Sequence, residues 1–371
     1  MIYELFLIFE NTRILYPLWY IASPAMMNKY IIKRRSHYPG KCALLSPVAL
    51  GLTAIALLIG SVGARALAPA SASSIHLDPI QVSARSWYFQ GASGIASTAN
   101  KGFMSNSGFV LTDTGVVVYD ALATPALAQA MLDAIHRLTE LPVTHVIVSH
   151  YHADHVYGLQ VFKDAGATII AKRSGSTYIE SEHAQQRLQQ RREALAPWVD
   201  DNTRLIGADI WLDFKAGPRH RLQLGDTALD IIDGGFSHSA DDVLLSIPSE
   251  SVVFAGDIFS SGRLPFLVDG NSEVWLQSMA DIAKLEAAVV VPGHGRASTE
   301  PAEDIELNTR YIRFLREQMA VAAEELQSFN DAYAAIDWTE FRDVPLFDAA
   351  NRRNAYHVFL EMQQALFEQE P

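Results

Sequence analysis

The stretch His150-Tyr151-His152-Ala153-Asp154-His155 places four side chains that can bind a metal ion within six consecutive positions. The apolar, β-branched run Val143 to Ser149 precedes it and predicts a buried strand. Gly158 and a second apolar run follow, so the stretch lies where a strand ends and a helix begins. The first two histidines are two residues apart and point the same way in extended backbone, whereas the aspartate and the last histidine fall where the backbone turns. One short loop can therefore offer ligands to two metal ions.

Three more residues with the same chemistry lie further along the chain, each beside a predicted strand and near glycine. His238 precedes a strand. We expect Asp257 just after the strand Val252 to Phe254, and His294 just after the strand Ala288 to Val291. Glycine neighbours allow the backbone to fold closely around an ion. With the first loop, these residues make a set of imidazole and carboxylate ligands that suits zinc, with iron or manganese as alternatives.

The seven candidate ligands divide into two groups that share one carboxylate. We assign His150, His152 and His238 to one ion, Asp154, His155 and His294 to a second ion, and Asp257 to a bridging position. Two zinc ions about 3.5–4 Å apart can hold a hydroxide between them at neutral pH. We expect Asp154 to be catalytic as well, accepting the proton of this hydroxide and passing it to the leaving group.

Three further side chains lie close to these ligands in the sequence. Asp120 ends the predicted strand Val116 to Tyr119, and we expect its carboxylate to orient the loop at 150–155 without binding metal. Tyr151 has two interpretations, a hydrogen bond to an oxyanion or packing in the core. Arg263 follows the bridging aspartate by six residues on a glycine-containing loop. It could meet an anionic group of the substrate or form an ordinary salt bridge within the loop.

The remainder of the chain indicates the fold. From about residue 80, strand-like and helix-like segments mix in both halves, which predicts an α/β fold of two mixed sheets flanked by helices. Ala126 to Leu138 has the pattern of an amphipathic helix, and Ser174 to Leu195 is predicted as one long polar helix. We expect residues 80–300 to form the catalytic domain and residues 301–371 to add C-terminal helices that pack on it.

Composition restricts the class of partner. The chain has 371 residues, of which 49% are hydrophobic, and this is enough for a substantial core. Its net charge is −13, although the first 72 residues are basic, so the remainder is more acidic still. An acidic body disfavours nucleic acid, since phosphate binding requires a basic surface. We predict a small-molecule substrate and no nucleic-acid partner, and the sequence does not indicate an oligomeric state.

Residues 1–72 are predicted to be an export signal. A basic start from Lys29 to Lys41 precedes an apolar run from Cys42 to Gly63, and Ala70-Ser71-Ala72 fits a cleavage site. An uncleaved membrane anchor is the alternative, since a run of roughly 20 residues is long enough to span. We interpret residues 1–26 as an over-extended reading frame, and we predict a periplasmic or secreted protein. Removal of the run would remove the only cysteine, so no thiolate ligand would remain.

The ordered set of the motif at 150–155, then His238, Asp257 and His294, resembles the metallo-β-lactamase superfamily from about Gly108 onward. The resemblance implies the αβ/βα sandwich with a dinuclear site at its rim. With aspartate at position 257, the ligand set resembles that of glyoxalase II and the lactonases. β-Lactamase subclasses carry cysteine or serine at the matching position. A narrower resemblance, over residues 257–266, is to exported SoxH-type and quinoprotein-relay hydrolases.

The function that this resemblance implies is that of a metal-dependent hydrolase. We expect it to cleave an ester, thioester or lactone-type carbonyl with two Zn²⁺ ions and a metal-bridging hydroxide. Hydrolysis of β-lactams is one alternative, and an iron-dependent sulfur dioxygenase, a type of enzyme with fewer metal ligands, is another. A non-catalytic accessory protein of a periplasmic oxidation system is the last alternative, which the complete ligand set disfavours.

Overall fold

A computed structural model describes residues 75–369 of the chain. The predicted export segment 1–72, with the start that we interpret as over-extended, lies outside these residues. None of the helices between residues 75 and 369 combines the length and the apolarity that a bilayer crossing requires.

Strands and helices alternate along the described chain. The strands are β1 (Ile80–Gln81), β2 (Ser86–Phe89), β3 (Ser107–Leu111), β4 (Val116–Tyr119), β5 (Val143–Ile147), β6 (Thr168–Lys172), β7 (Ile210–Leu212), β8 (Arg219–Leu224), β9 (Thr227–Asp233), β10 (Val243–Ile247), β11 (Val252–Ser260) and β12 (Val289–His294). The helices are α1 (Pro125–Leu138), α2 (Ala153–Val156), α3 (Leu159–Asp164), α4 (Gly175–Ile179), α5 (Glu182–Leu195), α6 (Ser272–Ala283), α7 (Pro301–Glu324), α8 (Phe329–Ala335) and α9 (Phe347–Gln369).

The strands form two mixed sheets. The first sheet has seven strands in the order β1 to β7. Its strands are antiparallel from β1 to β4 and parallel from β4 to β7. The second sheet has five strands in the order β12-β11-β10-β9-β8, and only the β11–β12 pair is parallel. The predicted fold class of two mixed sheets flanked by helices is confirmed.

Three apolar clusters show how the layers are stacked. The central cluster lies between the two sheets, where Val117 and Ile147 of the first meet Leu245 and Phe254 of the second. A second cluster joins the outer face of the first sheet to α1 and α3. The third joins the outer face of the second sheet to α6, α7 and α9. The C-terminal helices therefore cover one face of the sandwich.

Local sequence explains the elements around the site. β4 is Val-Val-Val-Tyr with every residue buried, as expected for a β-branched strand inside a sheet. α1 begins after Thr124, whose side chain accepts a hydrogen bond from the Leu127 N–H at 3.2 Å. Met131 and Ile135 continue its buried face at helical spacing. These two elements hold the segment between them, residues 120–124, against the loop that follows β5.

Two helical predictions were wrong in detail. The segment Ser174 to Leu195 forms two helices rather than one, because Ser181 has an extended backbone and its side chain caps α5 by accepting the Ala184 N–H at 3.2 Å. A serine that satisfies a free N–H in this way favours a new helix start over continuation. The short helix α8 was also not predicted, and it begins with the same kind of cap at Ser328.

The strand that carries the central aspartate is longer than predicted. We expected it to end at Phe254 with Asp257 just beyond, but β11 continues to Ser260, so Asp257 lies within the strand. The register between β11 and β12 shifts on both sides of Gly256, which has a φ of +53°. Such an irregularity redirects the neighbouring side chains while pairing continues. His294 is likewise the last residue of β12 rather than a residue after it.

Candidate metal centre

The seven candidate ligands come together at one edge of the sandwich, in two groups. Within each group, one ligand atom of every residue lies within 4.8 Å of the others. The first group is His150, His152, His238 and Asp257, and the second group is Asp154, His155 and His294. The loop between β5 and α2 contributes His150 and His152 to the first group, and α2 contributes Asp154 and His155 to the second. The loop before β10 and the strands β11 and β12 each contribute one residue.

Ring nitrogens of these histidines face one another and the ligand carboxylates at short distances. His238 Nε2 lies 2.9 Å from His152 Nδ1, and two such nitrogens face each other stably only when a proton or a cation lies between them. His150 Nε2, His155 Nε2 and Asp257 Oδ1 are buried and have no hydrogen-bond partner among residues 75–369. Buried polar atoms are almost always satisfied. These orphaned atoms, in a set of imidazoles and carboxylates, fit divalent metal ions such as zinc.

Asp257 is in contact with both groups. Its Oδ2 lies 3.4 Å from His238 Nε2 in the first group and 3.3 Å from His294 Nε2 in the second. Its Oδ1 lies 3.3 Å from His155 Nε2. Asp154 belongs to the second group alone, with Oδ2 3.3 Å from His294 Nε2. A carboxylate between two ligand groups has the position that a bridging ligand requires.

Asp120 is linked by hydrogen bonds to one histidine of each group, directly to His155 and through Ser149 to His150. Its buried carboxylate accepts hydrogen bonds from the Ser149 N–H and hydroxyl, each at 2.7 Å, and lies 2.8 Å from His155 Nδ1. The Ser149 hydroxyl lies 2.8 Å from His150 Nδ1. Asp120 has a φ of +63°, an uncommon conformation for a residue other than glycine, and strain of this kind clusters at functional sites. Asp120 thus contacts the His155 ring directly and the His150 ring through Ser149, and its orienting role stays a prediction.

The outer nitrogens of the other histidines also have partners, and sequence reasoning missed all of these. His238 Nδ1 lies 3.1 Å from the Phe266 carbonyl, and His294 Nδ1 lies 2.7 Å from the Met104 carbonyl. His152 Nε2 lies 3.5 Å from Asp269 Oδ2. Backbone carbonyls carry no residue-specific signal, and Asp269 stands at no diagnostic spacing from its histidine. Partners on the outer nitrogen fix the tautomer and ring orientation of a metal-binding histidine.

The two groups differ in their electrostatics. Burial lowers the pKa of His150 well below its ordinary value, and burial with neighbouring His238 lowers the pKa of His152 to about 4. Burial also opposes the charge on His294, but Asp257 and Asp154 outweigh it and raise its pKa to about 9. The pKa of His155 is raised well above its usual range against burial by Asp257 and Asp120. His150 and His152 of the first group are thus neutral imidazoles, whereas His155 and His294 of the second group are paired with carboxylates.

The two remaining residues face different surroundings. Tyr151 is buried with its ring 5.7 Å from that of Trp211, and Asp241 and Asp209 reinforce the effect of burial in raising its pKa. Of the two interpretations of Tyr151, its burial and its ring contact with Trp211 favour packing in the core. Arg263 is buried close to the ligand carboxylates but pairs with none of them, so the loop salt bridge considered for it is absent from residues 75–369.

Comparisons with known proteins agree with this geometry. The metallo-beta-lactamase superfamily model matches residues 100–294. Metallo-beta-lactamase IND-1 of Chryseobacterium indologenes is 24% identical over 199 residues, covering 52% of this chain and 73% of that protein. A type 2 metallo-beta-lactamase of Elizabethkingia meningoseptica is 25% identical over 197 residues, covering 52% of this chain and 69% of that protein.

Solved structures share the fold. The metallo-beta-lactamase FIM-1 of Pseudomonas aeruginosa, in its mono-zinc form, has a TM-score of 0.50 and 17% identity, covering 65% of this chain and 96% of that chain. The sec-alkylsulfatase Pisa1 of Pseudomonas sp. has a TM-score of 0.60 and 15% identity, covering 77% of this chain and 50% of that chain. With a family model that matches more than half of its residues, the chain belongs to the metallo-beta-lactamase superfamily of metal-dependent hydrolases.

Proposed function

We propose that this hydrolase holds two zinc ions and cleaves an ester, thioester or lactone carbonyl in a small molecule. The observation that carries the proposal is the position of Asp257, whose carboxylate is within 3.4 Å of histidines from both ligand groups. A single-ion site would not require a second group of Asp154, His155 and His294 on the other side of that carboxylate. Two bound ions would lower the pKa of a shared water and polarise the substrate carbonyl.

The protein's own residues supply the proton handling and the orientation. Asp154 has a side chain that is 14% exposed, so it is accessible from the site while remaining close to His294. Burial opposes its ionisation, but His155 and His294 hold its pKa well below the usual range, so it is a carboxylate at neutral pH. We propose that it accepts a proton from the attacking water and delivers it to the leaving group. Asp120 orients the His155 ring directly, and the Ser149 hydroxyl that Asp120 binds orients the His150 ring for this step.

The oxygen ligand at Asp257 supports acyl substrates of the glyoxalase II and lactonase kind over β-lactams. The narrower resemblance to SoxH-type and quinoprotein-relay hydrolases stays a prediction. The relatives with 24–25% identity are named metallo-beta-lactamases, and this favours β-lactam hydrolysis as the second candidate. An iron-dependent dioxygenase is a weaker candidate, because it would leave much of the seven-residue set without a role.

Metal analysis by mass spectrometry and a hydrolysis panel on the same preparation test the proposal. We expect two zinc ions per chain and turnover of a thioester, an ester or a lactone. The panel also contains nitrocefin and a secondary alkyl sulfate, the latter because a structural neighbour is named as an alkylsulfatase. One iron per chain with no hydrolysis would overturn the proposal, and nitrocefin turnover alone would select the second candidate.

A matched pair of histidine variants ties turnover to the site. His294→Ala removes a ligand candidate, whereas His136→Ala removes an exposed histidine on α1. We expect the first variant to lose hydrolysis and at least one zinc ion, and the second to retain both. Equal turnover in the two variants would contradict the assignment of His294 as a metal ligand.

A further inference from the structure

One side of the C-terminal helix α9 carries large apolar side chains that are exposed. Tyr356, Leu360 and Phe367 are 48%, 44% and 75% exposed, whereas Val358 and Phe359 of the same helix are buried in the core. The three exposed residues follow one another at intervals of four and seven positions, so they form one stripe along the helix. We call the exposed side chains between residues 352 and 368 the α9 face. Apolar side chains that are aligned in this way, rather than scattered singly, indicate a contact surface.

The two ends of the α9 face carry opposite charges. Arg352 and Arg353 are exposed at its N-terminal end, and Glu368 is exposed at its C-terminal end. Within residues 75–369, the ion pairs of α9 involve only His357 and Glu361. The charges at both ends of the face therefore have no counter-charge in the described part of the chain.

The contacts of these end residues within the chain are with neutral groups. Glu368 lies in the last turn of α9, where the helix dipole disfavours a negative charge, and its carboxylate accepts a hydrogen bond from Gln364 Nε2 at 2.9 Å. Arg352 donates to Asn330 Oδ1 at 2.7 Å, and its guanidinium carbon is 5.1 Å from the centre of the Phe329 ring. The charge that would complement each end of the face is present at the other end of the same helix.

The exposed positions are symmetric about Leu360. At distances of eight, seven and four residues on either side of it stand three pairs, Arg352 with Glu368, Arg353 with Phe367, and Tyr356 with Gln364. When two copies of the helix lie antiparallel about a two-fold axis through Leu360, each residue meets the other member of its pair. Arginine then faces glutamate at both ends, a guanidinium faces an aromatic ring beside each of these contacts, and leucine packs on leucine at the centre. A parallel arrangement would place like charges together.

We infer that the α9 face is the contact surface between two copies of this chain, which pair antiparallel about Leu360. The inference does not depend on the proposed hydrolysis, because Asn354, which contacts the loop at 265–267, lies on the buried side of α9. The contact extends over about 24 Å of helix, at 1.5 Å per residue. A single pair of helices forms a small interface, so the dimer dissociates on dilution.

Sedimentation of the full-length chain over a range of concentrations tests the inference. We expect a monomer that converts to a dimer as the concentration rises. Leu360→Glu places two carboxylates against each other at the two-fold axis, so the dissociation constant should rise at least about 100-fold. The matched control is Leu138→Glu at the end of α1, where the leucine is 48% exposed, and it should dimerise like the unaltered protein.

Charge reversal tests the antiparallel arrangement. Arg352→Glu and Glu368→Arg should each raise the dissociation constant about tenfold, because each brings like charges together twice in a symmetric dimer. The double variant restores opposite charges at both ends and should recover most of the lost affinity. An equally weak dimer in the double variant would overturn the antiparallel pairing.

Cysteine cross-linking reports the contact without a measurement of affinity. In a Cys42→Ser background, which contains no other cysteine, Leu360→Cys should form a disulfide between two chains on mild oxidation, because the two positions meet at the axis. Leu138→Cys should stay uncross-linked.

Two results would overturn the inference. One is a monomer at every concentration together with no cross-link through Leu360→Cys. The other is a dimer that Leu360→Glu leaves intact, as expected if the apolar run at 42–63 causes the association. Thermal unfolding of each variant shows whether it has folded, and if Leu360→Glu has not, the cross-link through Leu360→Cys decides the question.

Discussion

The region matched by the family, residues 100–294, and the C-terminal helices α7 to α9 contribute differently to the site. Every candidate ligand lies in the first region, in the strands β11 and β12, in the helix α2 or in the loops beside the strands. In the described part of the chain, the C-terminal helices offer no ligand. Instead, Asn354 of α9 and Pro345 before it hold the loop of Arg263.

This difference suggests that the two regions contribute separately to metal binding and to substrate choice. The proposed dinuclear centre needs fixed imidazoles and carboxylates, and the candidate ligands come from the sandwich itself. Substrate choice needs a surface around that centre. We expect α9 to position part of that surface, because Asn354, His357 and Glu361 hydrogen-bond to residues 267, 270 and 272. Changes in the first region should alter metal content and kcat, whereas changes in the second should alter KM.

The largest expected effect on hydrolysis comes from the loss of Asp257, the proposed bridging ligand. Asp257→Ala removes the carboxylate shared by both groups, so we expect hydrolysis to fall by about a thousandfold or more, equivalent to several kcal/mol of lost stabilisation by metal. Zinc content should fall by at least one ion per chain. Retained zinc with undiminished turnover would contradict the placement of chemistry in the first region.

A smaller loss of zinc affinity or activity is expected when Asp120, which contacts the ligand histidine His155, is changed. Asp120→Asn keeps an acceptor for the Ser149 N–H but removes the charge that faces His155 Nδ1 at 2.8 Å. We expect zinc affinity or activity to weaken about 10- to 100-fold. A competition titration against a chelator measures the affinity, and an unchanged value would show that Asp120 supports the fold alone.

Asn354→Ala tests the contribution of the C-terminal helices. It removes the contacts that Asn354 makes with Leu267 and Pro265, and so it loosens the loop of Arg263. We expect KM for the hydrolysed substrate to rise about tenfold, the effect of a hydrogen bond worth about 1–2 kcal/mol, with zinc content and kcat unchanged. Loss of zinc in a variant that still folds would mean that the C-terminal helices also hold the metal centre.

The smallest effect is a pH dependence within α9. Burial opposes the charge on His357, but its bond to Glu361 raises its pKa, and the same bond outweighs burial and lowers the pKa of Glu361. The histidine therefore stabilises the fold fully below its ordinary pKa of 6.5, and this contribution is lost as the pH rises through the raised value. The glutamate contributes fully above 4.5 and loses its contribution as the pH falls through the lowered value.

His357→Gln tests this window, because glutamine can still donate to the Gly270 carbonyl but carries no charge. Urea unfolding with excess zinc should give a difference from the unaltered protein of about 0.5 kcal/mol near pH 5.5. The difference should shrink at pH 9. A difference that is constant between these pH values would exclude an ion-pair contribution.

Much of the site follows from local sequence. The motif at 150–155 needs only a strand, a turn and a helix to present its ligands, and these are set by apolar runs that can be read directly. The break at Ser181 and the length of β11 were missed, because a cap and a bulge depend on single hydrogen bonds rather than on the pattern of a segment. Partners such as Asp269 and the Phe266 carbonyl had no signal in their spacing.

By itself, the sequence determined the family, the α/β sandwich and the candidate ligands, because hydrophobic period and ligand type are properties of short segments. Only the tertiary structure decided which role each neighbouring residue takes. It places Tyr151 in the core and buries Arg263 with no hydrogen-bond partner for its Nε among residues 75–369. The physical reason is that burial and charge compensation depend on residues far apart in the chain, such as Arg263, Pro345 and Asn354, which meet only when the C-terminal helices pack on the second sheet.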